Sequence, residues 1–319
     1  MKKKNILITG GLGLLGRSLI KKLLKEKHSI YVIDKKKNSR RNTFLNKNVK
    51  FFYGNFVNKQ NLKKILLKNK IEVIFHIGAI TQVLEALKKP LKTYKTNIMG
   101  TINIIEAIRE TNKNIILIYS SSDKAYGEIK DRNYLENDSL NSIYPYDLSK
   151  SCSDLICQSY SKVYGMKVAI LRCGNLYGPG DFNKNRIIPE TILSALKEKQ
   201  LIIRSNGKLI RDYLFVDDAT NAYYLVMKKL ISTKKKMLIY NVGSKYNLSV
   251  LSLVKLILKE MNKEYLKPII KNYSKKEIKF QKLNYSKISK ELKWNQKTNM
   301  KLGLYKTLMW YRKNQKLFK

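Results

Sequence analysis

The sequence predicts an α/β fold built on a doubly wound parallel sheet, and three observations support this prediction. Short apolar runs alternate with segments whose apolar residues recur at helical spacing, from the N-terminus to about Leu171. The first apolar run ends in a glycine-rich turn. Polar side chains come directly after several of the later runs, as expected where the carboxyl ends of parallel strands meet at a ligand site. Such alternation places helices on both faces of the sheet.

The first strand and the turn after it carry the pattern of a dinucleotide site. The apolar run Ile6–Ile8 is followed by Thr9 and by glycines at positions 10, 11, 13 and 16, and the spacing predicts a helix over Leu14–Leu24. In this arrangement the helix N-terminus meets a pyrophosphate. We expect Gly11 and Gly13 to admit the phosphates and Gly16 to allow close packing of the helix on the strand.

The second predicted strand strengthens this interpretation. The run Ile30–Ile33 ends in Asp34, about twenty residues beyond the glycines, where a carboxylate binds a ribose 2′-hydroxyl. A carboxylate repels a 2′-phosphate, so NAD is favoured over NADP. The alternative, a glycine turn without a ligand, leaves the combination of strand, turn, helix and acidic residue unexplained.

The remaining elements continue the alternation and suggest two interleaved units. We predict a loop over Lys35–Asn48, a return to the sheet near residues 237–242, and glycine- and proline-rich turns beyond Cys173. The prediction is therefore a dinucleotide-binding domain over 1–172 and a smaller mixed α/β cap over 173–236 and 243–319. The other predicted strands are Val49–Tyr53, Ile71–Phe75, Asn114–Tyr119 and Lys167–Leu171, and the other predicted helices are Asn61–Leu67, Pro90–Glu110 and Pro145–Tyr164.

Composition narrows the class of protein. The 319 residues are 44% hydrophobic, enough for a large core, and no apolar run reaches the ~20 residues of a membrane span. Met1–Lys4 imitates the start of a secretory signal, but glycines and Arg17 interrupt the apolar segment next to it. The three cysteines form no disulfide framework, so we expect reduced thiols, a cytoplasmic location and no metal site.

The charge is strongly positive, with 65 Lys+Arg against 23 Asp+Glu and a net charge of +42. Such a charge raises nucleic acid as a partner. The lysines are nevertheless scattered over nearly every surface segment, and the longest runs, such as Lys35–Lys37, reach only three. We therefore interpret the charge mainly as solvated surface and do not expect nucleic acid to be bound. A basic field would still attract an anionic substrate such as a nucleotide.

Tyr146 and Lys150 form the most informative pair of polar residues. On a helix, positions i and i+4 share a face, so both side chains can reach one ligand. An ammonium beside a phenol lowers the pKa of the phenol, and tyrosine can then act as a base. The pair comes after a nucleotide-type start and the polar strand end Ser120–Lys124, which makes it specific.

With these motifs the sequence resembles the extended short-chain dehydrogenases that act on nucleotide sugars, and the resemblance spans nearly the whole chain. Ser122-Asp123-Lys124 is similar to the triplet of CDP-glucose 4,6-dehydratases within that family. The resemblance implies a Rossmann-type NAD domain, a C-terminal substrate-binding cap and a homodimer. The matching residues are Thr9-Gly10-Gly11-x-Gly13-x-x-Gly16, Asp34, His76-x-x-Ala79, Asn97, Ser120-Ser121-Ser122, Tyr126-Gly127, Tyr146-x-x-x-Lys150, Arg172-x-x-Asn175-x-Tyr177-Gly178-Pro179-Gly180-Asp181, Arg211-Asp212-Tyr213, Val216-Asp217-Asp218 and Trp310-Tyr311.

The resemblance also implies roles for individual residues. Tyr146 is expected to take the proton of a hexose 4-hydroxyl that Ser122 hydrogen-bonds, while Lys150 holds the cofactor ribose. Lys124 as base and Asp123 as acid are expected to remove water across C5 and C6; an Asp/Lys surface salt bridge is the alternative. The expected NAD-binding residues are Gly10, Gly11, Leu12, Gly13, Leu14, Leu15, Gly16, Asp34, Asn55, Phe56, Ala79, Asn97, Tyr146 and Lys150.

For some other residues two roles remain open. Asn175, Arg186 and Arg211 are expected to bind the substrate, with Asn175 and Arg211 on its pyrophosphate, and a surface ion pair is the alternative for Arg211. His76 is expected to be structural, and Asn97 either holds a water near the cofactor or packs its helix.

The predicted function is a nucleotide-sugar 4,6-dehydratase with a CDP-glucose-like substrate. A 4-epimerase is the nearest alternative, since it uses Tyr146, Lys150 and Ser122 but no base for a C5 proton. A non-catalytic NAD- or RNA-binding relative is a more remote alternative. The intact Ser122, Tyr146 and Lys150 set argues against that one.

Overall fold

A seven-stranded parallel sheet forms the centre of the computed structural model, which describes residues 1–35, 48–129, 132–273 and 277–318. The predicted doubly wound sheet is confirmed, and its strand order is β3-β2-β1-β4-β5-β6-β10. The strands are β1 (Asn5–Thr9), β2 (Ser29–Asp34), β3 (Val49–Tyr53), β4 (Val73–His76), β5 (Ile116–Ser122), β6 (Val168–Cys173), β7 (Asn175–Tyr177), β8 (Ile202–Ile203), β9 (Ile210–Phe215), β10 (Met237–Val242), β11 (Asn247–Ser249) and β12 (Ile269–Ile270).

Helices cover both faces of this sheet, and further helices pack against the smaller sheets of the C-terminal part. The helices are α1 (Leu14–Lys25), α2 (Lys59–Lys68), α3 (Val83–Lys88), α4 (Pro90–Tyr94), α5 (Gly100–Thr111), α6 (Pro145–Tyr164), α7 (Ile187–Leu196), α8 (Val216–Ser232), α9 (Val250–Glu260), α10 (Ser286–Leu292) and α11 (Met300–Lys313). Asp123–Tyr126 and Gln315–Phe318 are short 3₁₀ turns. Most of the predicted loop Lys35–Asn48 lies outside the described residues.

The two faces of the sheet bury separate apolar cores. Ile6 and Ile8 of β1 pack with α1 and α8, while Leu7 between them packs with α2, α5 and α6 on the opposite face. This results from the alternation of side chains along a strand. Because both faces are covered, the central strands are continuous apolar runs, as the sequence indicates.

The helix predicted over Pro90–Glu110 is interrupted at Asn97. Helices α4 and α5 flank a π-helical turn over Lys95–Met99. The carbonyl of Asn97 accepts hydrogen bonds from the hydroxyls of Thr101 (2.7 Å) and Ser153 (3.0 Å). Such π turns concentrate at functional sites because they redirect a side chain from a helix that otherwise stays regular.

Helix α8 corrects the predicted division of the chain. The prediction places residues 173–236 in the cap, but Ala219, Tyr223 and Met227 of α8 belong to the core beneath the sheet. Trp294 joins the same core and donates its indole N–H to the carbonyl of Asp218 (3.0 Å). The correction has a simple cause, since β10 forms the sheet edge beside β6 and α8 packs against both strands.

The cap has its own core between two small sheets and three helices. A three-stranded sheet has the order β11-β9-β7, a two-stranded sheet pairs β12 with β8, and α7, α9 and α11 pack against them. Among the described residues, we find no helix whose length and apolar content would let it cross a bilayer.

Candidate active site

The glycine turn after β1 has two positions, Gly10 and Gly16, where a side chain would meet backbone atoms. Gly10 has φ +70°, and a Cβ there would lie 2.6 Å from the Cα of Gly78. A Cβ on Gly16 would lie 2.6 Å from the carbonyl oxygen of Gly10 and from the Cα of Gly11. Gly16 therefore brings α1 against the turn, as predicted.

Gly11 and Gly13 differ in what surrounds them. A Cβ on Gly11 would lie 2.6 Å from Val32 Cγ1, so this glycine is required for packing against β2. Gly13 is the N-cap of α1, has no side-chain cap, and would bring a Cβ no closer than 3.2 Å to the carbonyl oxygen of Gly10. The first backbone N–H groups of α1, starting with Leu14, precede the first hydrogen bond of the helix and are oriented to bind an anion.

Asp34 lies beside this turn at the carboxyl end of β2. Its carboxylate accepts hydrogen bonds from the backbone N–H of Leu12 (3.1 Å) and of Lys35 (2.7 Å). The residues present thus fit a dinucleotide: an uncapped helix N-terminus, a cradle that side chains would fill, and a carboxylate next to it. Among the other predicted cofactor residues of this turn, Leu12 and Leu15 are buried, and Leu14 is half-buried.

The predicted cofactor residues after β3 and β4 have mainly structural contacts. The side chain of Asn55 is exposed and accepts from the backbone N–H of Val57 (3.1 Å). Phe56 is buried, and a Cβ on either Gly78 or Gly100 would come within 2.6 Å of its ring. Ala79 is half-buried in the loop after β4.

His76 and Asn97 hold this loop in place. The hydroxyl of Thr9 accepts from the backbone N–H groups of Ile77 and Gly78, so it donates to Nδ1 of His76 (2.8 Å). The other ring nitrogen then donates to Thr101 (3.1 Å). Burial lowers the pKa of His76 to about 3. This supports the expected structural role of His76.

The amide of Asn97 is fully engaged with neighbouring protein groups. It accepts from the N–H of Ile80 (2.8 Å) and donates to the carbonyl of Ile80 (3.0 Å) and the hydroxyl of Ser149 (2.8 Å). Of the two interpretations of Asn97, these contacts favour packing of the helix and positioning of the loop, rather than a hydrogen bond to a water. The role of Asn97 near a cofactor stays a prediction.

Tyr146 and Lys150 share one face of α6, and both are buried. Burial raises the pKa of Tyr146, Asp147 raises it further, and Arg186 and a hydrogen bond with Ser122 act in the opposite direction. The ammonium of Lys150 donates instead to the carbonyl of Ser120 (2.7 Å) and lies 5.0 Å from the centroid of the Tyr119 ring. The expectation that Lys150 lowers the pKa of Tyr146 is therefore wrong, because burial dominates.

The Asp123–Lys124 pair lies directly after β5 and is buried, with 2% and 8% of each residue exposed. Ser122 donates to Asp123 Oδ1 (2.9 Å), and Lys124 Nζ donates to Gln281 Oε1 (3.3 Å). Burial raises the pKa of Asp123 and lowers the pKa of Lys124, with Arg211 contributing to the latter shift. Both directions favour the neutral acid and the neutral amine. Because both residues are buried, the pair is not a surface salt bridge.

Two residues of this site escape the sequence-based prediction. Asp147 comes directly after Tyr146, is 1% exposed, has no hydrogen-bond partner at Oδ1, and burial raises its pKa to about 6. Its position inside the Tyr-x-x-x-Lys segment is the sequence feature from which Asp147 could be predicted as a site residue. Gln281 is remote in sequence and has no local signal.

Of the predicted substrate residues, Ser122 ends β5 on the sheet side and the other three lie on the cap side. Asn175 starts β7, and its Nδ2 is buried without a partner. Arg186 precedes α7 and pairs with Asp181 (3.3 Å). Arg211 of β9 pairs with Glu277 (3.0 Å) and donates to the carbonyl of Ile278 (2.7 Å). Arg211 thus forms an ion pair, but the arginine is buried, so this is not the surface ion pair of the alternative interpretation. Its pyrophosphate role stays a prediction.

The fold and the site together define an α/β enzyme with a dinucleotide cradle beside a Ser–Tyr–Lys set. The chain matches the NAD dependent epimerase/dehydratase family over residues 6–243 and belongs to that family. Its members are NAD-dependent enzymes, which agrees with the cradle described above. Both the predicted family and the predicted cofactor are confirmed.

Relatives include both dehydratases and epimerases. A dTDP-D-glucose 4,6-dehydratase of Dictyostelium discoideum is 30% identical, with 98% of this chain and 82% of the relative covered. A trifunctional UDP-glucose 4,6-dehydratase of Arabidopsis thaliana is 30% identical over 98% of this chain, and the chain spans 48% of its length. A UDP-glucose 4-epimerase of Thermotoga maritima has a TM-score of 0.89 and 26% identity, with 98% and 99% of the two chains covered. The comparisons support a nucleotide-sugar dehydratase or epimerase without separating the two or showing a preference for CDP-glucose.

Proposed function

We propose that the chain is a nucleotide-sugar 4,6-dehydratase that converts an NDP-hexose, CDP-glucose or a close analogue, into the 4-keto-6-deoxyhexose and water. The observation that carries this proposal is the buried Asp123–Lys124 pair next to Ser122. A 4-epimerase requires proton transfer at the 4-hydroxyl only and has no use for a second buried acid and base. The CDP-sugar preference rests on the resemblance of the Ser122-Asp123-Lys124 triplet.

The first step uses the Ser122–Tyr146 contact. Tyr146 accepts the proton of the 4-hydroxyl, and Ser122 hydrogen-bonds the same oxygen. NAD+, which the glycine turn and Asp34 would hold, would supply the hydride acceptor at C4 and the hydride donor at C6. A buried tyrosine with a raised pKa is a strong base once deprotonated, and Ser122 and Arg186 favour its phenolate. Lys150, anchored on Ser120, holds the cofactor ribose.

The second step uses Asp123 and Lys124. The 4-ketone acidifies the C5 proton, which the amine of Lys124 removes. Asp123 gives its proton to the departing 6-hydroxyl, so that water leaves and a C5–C6 double bond forms. Lys124 then returns its proton to C5 as C6 is reduced, and the proton that Tyr146 took up passes to Asp123 through Ser122, which restores both groups. Burial prepares both groups, because it favours the neutral carboxylic acid and the neutral amine.

The cap supplies the groups that bind the diphosphate of the nucleotide sugar. Arg186 and Arg211 carry the positive charge, and Asn175 has an unpaired buried amide N–H group. Binding exchanges the carboxylate partners of the arginines for phosphate oxygens. This assignment implies the division of the chain into a cofactor unit and a substrate-binding cap.

Mass spectrometry with CDP-, UDP-, GDP- and dTDP-hexoses tests the proposal. The expected product has lost one water from one of these sugars, and a stereoisomer of unchanged mass, separated from the substrate by chromatography, would instead identify an epimerase. Salt-sensitive RNA binding without sugar turnover would overturn both enzymatic assignments.

A Lys124→Met variant tests the role of the lysine. We expect it to oxidise C4 without eliminating water, so reduction with borodeuteride should place deuterium at C4 of the trapped sugar. Lys113→Met, which removes an exposed lysine, should behave like the unmodified protein. Undiminished water loss in Lys124→Met would contradict the base assignment.

We also propose a cytoplasmic homodimer formed by the helices α5 and α6. The support is an apolar surface on and beside these helices, where Met99, Leu155 and Val163 are exposed. Light scattering should give twice the chain mass, and Leu155→Glu should give the mass of one chain. A monomeric unmodified protein would overturn this proposal.

A further inference from the structure

Gln281 is fixed from both sides by backbone hydrogen bonds. Its own N–H donates to the carbonyl of Ile210 at the start of β9 (3.2 Å). The next residue, Lys282, accepts at its carbonyl from the N–H of Tyr134 (2.8 Å). Gln281 is 0% exposed. Its side chain therefore projects from a rigid segment, and its direction is set by the fold rather than by side-chain mobility.

The side chain of Gln281 reaches Lys124 with only one of its two polar atoms. Oε1 accepts from Lys124 Nζ (3.3 Å), while the buried Nε2 has no protein partner. An amide offers an acceptor to an ammonium and a donor to a neutral amine. It can thus hold a lysine in either protonation state, whereas a carboxylate at this position would favour the ammonium.

The charges that face Lys124 oppose one another. Arg211 of β9 lowers the pKa of Lys124, while Asp147 of α6, Asp123 on its own turn and Glu277 of the segment that leads to Gln281 raise it. These charged groups act on the lysine through the electrostatic field, whereas Gln281 forms a hydrogen bond with Nζ itself. The neutral partner therefore holds the amine, and the surrounding charges adjust its proton affinity.

We propose that Gln281 is a positioning residue that fixes the amine of Lys124 for removal of the C5 proton while leaving its charge free to change. The inference rests on the proposed dehydratase function, because only the elimination step requires Lys124 to gain and lose a proton. The two residues lie 157 positions apart in sequence and meet only in the folded chain.

The test compares Gln281→Glu and Gln281→Leu with the unmodified protein, measuring water loss and C5 deuterium exchange against pH. We expect Gln281→Glu to move the pH at which elimination begins upward by about one unit or more, a tenfold loss at neutral pH that alkaline buffer restores. Gln281→Leu should slow elimination by about a hundredfold through misplacement of the amine. In both variants, C4 oxidation trapped with borodeuteride should be unchanged.

Controls separate this inference from the proposed function and from misfolding. Gln60→Glu makes the same change on the exposed side of α2 and should leave the pH profile unchanged. An unmodified protein that loses water, combined with an unshifted profile in a normally folded Gln281→Glu, would overturn the role of Gln281 alone. Equal loss of oxidation and elimination in Gln281→Leu would overturn it too. Absence of water loss in the unmodified protein would overturn both proposals.

Discussion

The sheet side and the cap side of the candidate site differ in how their residues are assembled. On the sheet side, the glycine turn lies within seven residues and the Tyr146–Lys150 pair lies on one helix, so local spacing determines their geometry. On the cap side, Arg211 meets Glu277 from a distant segment. The difference shows that the residues of a site can be predicted from sequence when they lie in contiguous motifs. They cannot be predicted in this way when they come from distant segments.

The two sides are nevertheless joined by the segment that precedes α7, in addition to the Lys124–Gln281 hydrogen bond. Arg17 of α1 donates to the carbonyls of Leu12 (3.1 Å) and Gly180 and lies 4.9 Å from the centroid of the Phe182 ring. Gln82, after β4, donates to the side chain of Asn183 (3.0 Å). The loop that carries the predicted substrate residue Arg186 is therefore anchored on the cofactor side.

The largest expected effect is on the sheet side. Tyr146→Phe removes the base of the first step and should lower turnover by about 10² to 10⁴-fold. The buried phenyl ring fills nearly the same space, so thermal unfolding and NAD content should stay unchanged. Product formation by mass spectrometry is the measurement, and near-normal turnover would remove Tyr146 from the chemistry.

The next effect sharpens the comparison on the cap side. If Arg211 binds diphosphate, Arg211→Met should raise KM by about ten- to a hundredfold, the worth of a hydrogen bond to a charged group. Glu277→Gln should then leave KM equal or lower, because it releases the arginine. Steady-state kinetics distinguish this from a purely structural ion pair, for which both variants would lose stability without a change in KM.

A smaller effect concerns the packing of the glycine turn. Gly16→Ala places a Cβ 2.6 Å from backbone atoms and should lower the unfolding free energy by about 1–3 kcal/mol. The purified variant should also contain less bound NAD. Gly54→Ala is the matched control, since its Cβ would lie 3.5 Å from the Asn61 side chain. Denaturant unfolding and the NAD content of the purified protein are the measurements. Equal stability of the two variants would contradict the tight turn.

The smallest effect, over the pH range that the experiment covers, is a pH dependence on the sheet side. The pKa of His76 is about 3 in the fold against an ordinary value of 6.5, so its contribution is complete above pH 6.5 and is lost as the pH falls towards 3. The loss is about 1.4 kcal/mol per pH unit in this window. Unfolding of the unmodified protein and of His76→Gln at pH 7.0 and 5.5 measures it. A constant difference between the two proteins would show that the fold does not lower the pKa of His76.

Asp34 and Gln281 show how far the sequence predicts the site. Asp34 is predictable beside the glycine turn because parallel strands joined by one helix bring their carboxyl ends together, a constraint that acts within about thirty residues. Gln281 is not predictable, because its place beside Lys124 depends on a bridge to β9 and on Tyr134. The direction of the pKa shift of Tyr146 is predicted wrongly from spacing, which shows a neighbouring charge but does not show burial.

The sequence alone determined the sheet and the cofactor turn, since each depends on short-range periodicity and on steric limits of the backbone. The Ser122, Tyr146 and Lys150 set follows from spacing together with the family resemblance, and its role stays a prediction. Only the tertiary structure decided that α8 packs on the sheet, that Arg211 pairs with Glu277, and that Asp123 and Lys124 are buried. The physical reason is that burial and long-range pairing are properties of the assembled core. They set the proton affinities on which the proposed chemistry depends.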